Sequence, residues 1–206
     1  MDRNAIRIFR DASWGSVDEL RGYLESVPAL QRRDVEQLLA ILREPGLAKD
    51  GPHHRNRCAA FKTLCLNAPD PSFFAPIADA LPALDSIALK AAAAVLPRVN
   101  DVEAHAPLCK ALGSPNAEVR ETAKVVLEAV GGPSALRALT QLVRERTFLG
   151  RREAMDVMVP KARHRALDLL EGVVKTGTAV EQLEALRWLA DPEVMSAAAD
   201  RALGIV

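Results

Sequence analysis

Four side chains near residue 55 have the chemistry to hold a soft metal: His53, His54, Cys58 and Cys65. Imidazole nitrogen and thiolate sulfur are good zinc ligands. Positions 54, 58 and 65 share one face of a helix. Two turns, about 10 Å of rise, separate the cysteines, too far for one ion. The spacing also matches no known zinc pattern, so no metal is assigned. His105 and Cys109 lie four apart and could mimic a Cys–His pair. Nucleophilic catalysis also needs an orienting third group and an oxyanion site, and neither is visible. His105 reads instead as filling the edge of a core. The chain carries no Gly-rich phosphate loop, no HExxH and no GxSxG. No catalytic residue and no cofactor are assigned.

Charge offers the other chemistry. Residues 144–165 hold Arg144, Arg146, Arg151, Arg152, Lys161, Arg163 and Arg165 against Glu145, Glu153 and Asp156, a net +4 set against a net −4 in the rest of a chain whose totals balance, 27 against 27. A run like this is ordinarily a solvated face. Arginine is also the side chain best matched to carboxylate and phosphate groups. The neutral total argues against a protein that lives on nucleic acid or on anionic membrane. The two tryptophans, Trp14 and Trp188, read as capping or core contacts rather than base-stacking platforms. Trp14 precedes an expected helix N-cap at Ser16.

Something must position these groups, and composition limits what. Apolar residues make up 49% and aromatics 4%, which excludes a disordered chain. Ala and Leu dominate, and both favour helix. Met1-Asp2-Arg3-Asn4 opens a charged N-terminus without an apolar run, and no stretch approaches a membrane span. Three cysteines without a CxxC fit free thiols in the cytoplasm.

The apolar pattern repeats. Phe74–Leu81, His105–Leu112 and Leu136–Val143 align without gaps at steps of 31 residues. The shared columns are Ile77/Leu108/Leu139, Ala80/Ala111/Leu142 and Leu81/Leu112/Val143, spaced for one helical face. A partner helix precedes each, marked by Arg57-x-x-Ala60-x-x-x-Leu64, Leu89-x-x-Ala92-x-x-x-Leu96 and Arg120-x-x-Ala123-x-x-x-Leu127. The small Ala admits a neighbouring helix, and the Leu fills the core beside it. Turn residues such as Gly131-Gly132-Pro133 separate the two helices of a unit. In this register Cys58 aligns with Glu121 and Cys65 with Glu128, which are outward positions; the plain alternative packs both thiols beneath the N-terminal pair.

The step from Arg120 to Arg163 is 43 residues, about twelve too long, and the surplus falls in 147–160. Arg163-x-x-Ala166-x-x-x-Leu170 reads as the next first helix. Residues 191–206 read as one more first helix, without a partner after it. The apolar Phe148, Leu149, Met155, Val157 and Met158 predict that the surplus folds as a short helix or ordered loop, with Arg151 and Arg152 exposed at its tip.

Ser114-Pro115-Asn116-Ala117-Glu118-Val119-Arg120-Glu121-Thr122-Ala123 resembles the first helix of a bacterial HEAT repeat. Asp191-Pro192-Glu193-Val194 with Ala198, Ala202, Leu203 and Gly204 is similar, with Met195 in place of the signature's Arg. The resemblance covers roughly residues 53–206. It implies an all-α solenoid, a HEAT-like superhelix of about five antiparallel helix pairs. The expected layout is one domain: an atypical capping pair in 1–52, regular repeats in 53–146, an insertion in 147–160 and C-terminal repeats in 161–206. The resemblance also implies a scaffold, adaptor or regulatory subunit, since HEAT proteins serve in those roles. The alternatives are a HEAT-fold enzyme of the DNA glycosylase or bilin lyase type, or a regulatory domain of a larger assembly.

Second helices line the concave side of such arrays. The columns left over from packing, Ala75/Ala106/Arg137 and Asp79/Lys110/Gln141, are therefore expected to face a partner. Asp79, Lys110, Arg137, Gln141, Arg144, Arg151 and Arg152 form the expected interaction surface. Their partner would be another protein with an acidic patch, with no specific nucleic acid and no membrane.

Overall fold

The computed structural model describes residues 1, 3–13, 18–20, 22, 30–67, 70–98 and 102–204. Every regular element among them is helical. The chain divides into two compact units, Met1–Pro107 and Leu108–Val206. The expected helix at 16–27 and its cap at Ser16, with Trp14, lie outside the described residues for the most part; Leu20 is described, and buried.

The first unit contains α1 (Arg3–Asp11), α2 (Arg32–Arg43), α3 (Gly51–Phe61), α4 (Phe74–Ala80) and α5 (Ser86–Val95). Helix α3 packs on α1, α2 and α5, while α2 packs on α4. First helices thus lie on first helices and second on second, as stacked pairs require. Asp85 caps α5 by accepting the Ala88 N–H at 2.8 Å. Arg57 is buried and donates to the carbonyls of Arg10 and Ala48, which satisfies the end of α1.

Helix α3 runs on into a π-helical turn, Lys62–Leu66. The wider turn shifts the helical register, so Cys65 and Leu66 are buried and Leu64 is only half-buried. Cys58 is buried as well, its Sγ accepting the Asp85 N–H at 3.4 Å and lying 3.5 Å from His54 Nε2. The outward orientation expected from the register does not occur: α5 covers the position where α7 carries the exposed Glu121.

Helix α6 (His105–Ala111) runs across the boundary between the units, and the second unit continues with α7 (Ala117–Val130), α8 (Pro133–Arg144), α9 (Arg151–Ala162), α10 (Leu167–Thr176), α11 (Ala179–Leu189) and α12 (Pro192–Ala202). Asn116 caps α7, and Pro133 opens α8 where a missing N–H costs nothing. Thr178 and Glu181 form a capping box on α11. The repeat columns hold here in all but one place: Leu108, Ala111, Leu112, Ala123, Leu127, Leu139 and Val143 are buried, while Leu142 is half-buried.

The surplus in the repeat step is a whole helix. Helix α9 packs on α7 and α8 before it and on α11 after it, while α10 packs on α8 and α11. Helices α9 and α10 are therefore a pair of their own, and they begin 34 residues after α7 and α8. The Arg163–Leu170 motif belongs to the turn and the second helix of that pair, not to a first helix. Helix α12 in turn comes after α11 as its second helix, so the last helix does have a partner. Pro160 sits inside α9, and the helix ends two residues later at Ala162, before Arg163 turns left-handed at φ 32°.

Gly150 explains how the chain enters α9. A Cβ there would stand 1.9 Å from the Leu112 carbonyl oxygen, so only glycine lets the turn lie against that backbone. Among the described residues no helix is long and apolar enough to cross a membrane.

Candidate interaction surface

The basic run 144–165 separates in space into cations that are used and cations that are not. Arg151 is used twice. Its guanidinium donates to the Val143 carbonyl at 2.9 Å, at the end of α8, and to Glu181 Oε2 at 3.0 Å, at the start of α11. Glu181 also accepts from the Thr178 N–H and hydroxyl. Arg151 therefore ties three helix ends together and is 2% exposed. The expected exposed tip is wrong for this residue: unmet carbonyls and a carboxylate draw the guanidinium inward.

Arg152 does face solvent, with its Nε 3.7 Å from Glu184. Lys161 donates to the carbonyls of Leu127, Glu128 and Gly131 and so closes the end of α7. Arg163 pairs with Glu193 at 2.8 Å. Three cations remain. Arg144, Arg146 and Arg165 are exposed, and among the described residues none has an ion-pair partner.

These three line one cleft between α8 and α10, about 350 Å³ in volume, with Arg151 in its wall and Leu169, Gly172, Val173 and Thr176 along α10. Its carboxylate, Asp168, is held by Arg201 at 2.8 Å. That ion pair and the Arg151–Glu181 pair neutralise themselves, and the cleft keeps three net positive charges. Arg137, Gln141 and Arg144 stand on one exposed face of α8, spaced four and three apart, and lead to the cleft mouth. Lys110, on α6 in the same unit, is exposed.

Asp79 belongs to the first unit. It is exposed on α4 and paired with Arg43 of α2 at 2.8 Å. Ala75, expected beside it on the open face, is buried at 9% against α2. Arg146 and Arg165 are absent from the expected surface. Their signal was the unbalanced charge of the run, but which members would find carboxylates depends on the packing of α9.

The other candidate chemistries find packing roles. His105 is buried, and burial pushes the Cys109 thiol up to about 11 and the Cys58 thiol up to about 12. Burial likewise lowers His54, with nearby Arg57 adding to the effect. Among the described residues no group of His, Cys, Asp or Glu is arranged to hold a metal ion. Trp188 donates its Nε1–H to Asp156 at 3.3 Å, and Asp156 also accepts from Lys124.

No curated protein and no solved structure matches the chain. A family model described as HEAT repeats matches residues 74–158. The match opens at the first residue of α4 and runs through the irregular repeat step into α9, where the helix pairs are seen. Stacked helix pairs and family match agree, and over residues 74–158 the chain is similar to HEAT repeats.

Proposed function

We propose that this protein is a non-enzymatic scaffold or adaptor of the cytoplasm. It grips an acidic segment of a partner protein in the cleft between α8 and α10. HEAT repeats generally mediate protein–protein interaction, and the three buried free thiols suit a reducing compartment. One observation carries the reading: Arg144, Arg146 and Arg165 line a single cleft without ion-pair partners among the described residues. Every other cation of the run except Arg152 is committed to a close carboxylate or to helix carbonyls. An excess gathered along one cleft attracts an acidic partner more strongly than scattered charge does.

The experiment is partner capture on immobilised protein, wild type against the triple variant Arg144→Glu, Arg146→Glu, Arg165→Glu. The expected result is loss of a salt-sensitive partner with an unchanged melting temperature, while Arg152→Glu retains it. Undiminished capture by the triple variant would overturn the reading.

A further inference from the structure

We infer that the acidic group seated in this cleft is a phosphomonoester carried on the partner polypeptide, which rests on the reading above and narrows it. Charge counting comes first. With Arg151 matched by Glu181 and Asp168 by Arg201, the cleft holds three unmatched guanidiniums from Arg144, Arg146 and Arg165. A side-chain carboxylate brings one negative charge and two oxygens. A phosphomonoester brings nearly two charges at pH 7 and three terminal oxygens, one for each guanidinium. Arginine's planar fork meets phosphate oxygens in pairs, which an ammonium group does not.

The cleft's form favours a polypeptide source over a free anion. It is open, and the exposed Arg137–Gln141–Arg144 face of α8 leads away from it. Chain flanking a phosphorylated side chain can lie along that face and add contacts that inorganic phosphate lacks. The sequence supplies a second hint of purpose: Arg144, Arg146 and Arg165 come from three separate segments, the end of α8, the turn after it and the turn before α10. None of them is needed to close a helix or match an acid, unlike Arg151, Lys161 and Arg163.

The test monitors the arginine Nε–H signals of the intact protein by NMR during titration. The probes are an eight-residue glycine–alanine peptide with one central phosphoserine, the same peptide with glutamate there, inorganic phosphate, and a twelve-base-pair DNA duplex. The expected result is that the phosphopeptide shifts the Arg144, Arg146 and Arg165 signals and saturates at a concentration roughly tenfold or more below the glutamate peptide. Inorganic phosphate should bind more weakly than the phosphopeptide. Arg165→Lys, which keeps charge and fold but loses the fork, should reduce the preference for phosphate over carboxylate, and Arg152→Ala should leave it unchanged. Equal binding of the two peptides overturns the phosphate assignment and leaves the acidic-partner reading standing. Inorganic phosphate binding as tightly as the peptide overturns the polypeptide source, and tighter binding of the duplex makes the occupant a nucleic acid. If no probe moves these signals, both the inference and the reading beneath it fail.

Discussion

Removing the Arg151 guanidinium strips a donor from the Val143 carbonyl and a counter-charge from Glu181 in one step. Breaking a buried pair from one side costs about 3–5 kcal/mol, because the remaining charge stays desolvated. Arg151→Ala should therefore lower the melting temperature markedly. Arg152→Ala loses a long contact of an exposed guanidinium, and Glu184 keeps Arg187 at 3.0 Å, so stability should change by about 1 kcal/mol or less. Thermal unfolding of the two variants checks this, and equal losses would mean that Arg151 is not the tie described. The cysteines make a second residue-scale case. Thiolate is the reactive form, and burial holds Cys58 near 12 and Cys109 near 11. Native protein at pH 8 should react slowly with a thiol-specific disulfide reagent, and denatured protein should release three equivalents promptly. Rapid labelling of the native protein would show that these side chains are not packed as seen. Such sites were poorly legible beforehand. Arg151 and Arg152 are adjacent and alike in type, and only the partners brought by α8 and α11 separate them.

At the scale of the element, helix α9 makes the second unit regular. Its entry depends on Gly150, whose missing Cβ leaves room for the Leu112 carbonyl. Gly150→Ala must push two backbones apart and should destabilise by about 1–3 kcal/mol, as overpacking does. Leu127 is fully buried on α7, and its truncation to Ala sets the comparison at about 2–5 kcal/mol. Chemical denaturation of both variants reads the two values, and an unaffected Gly150→Ala would remove the close approach. The alternation of buried columns was readable from 31-residue steps, because helix periodicity is local. The status of 147–160 was not. Its apolar residues showed that it must pack, but a segment about twelve residues too long reads as an insertion into the array. Contacts with α7 and α11 decide for the pair. The π turn Lys62–Leu66 is a similar case: one widened turn moved Cys65 inward and left Leu64 half out.

For the molecule as a whole, charge sets the expectation. Acids and bases balance over the chain, and the positive excess of 144–165 gathers at one cleft of the second unit. Three arginines can release only a few counterions from a duplex. Affinity for duplex DNA at physiological salt should therefore stay in the non-specific range, about 10⁻⁴ to 10⁻⁶ M, and be insensitive to sequence. Fluorescence anisotropy with two unrelated duplexes measures it. Tight or lesion-dependent binding would instead favour the glycosylase alternative on the same helical frame.

The residues by themselves determined that this chain is helical, that its helices come in pairs, and most of the columns that are buried, though not Cys58, Cys65 or Ala75. Each of these rests on short-range spacing, three and four residues within a helix and about 31 between neighbours, and such spacing survives in one dimension. The sequence also carried the net charge of 144–165, since a sum needs no geometry. Tertiary structure alone decided how that sum is divided. Glu181 and Glu193 lie 30 residues beyond Arg151 and Arg163, and the carbonyls that hold Lys161 lie 30 or more before it. Whether a cation is spent on a helix end or left facing solvent depends on which helix is laid beside it, and that choice is made by packing.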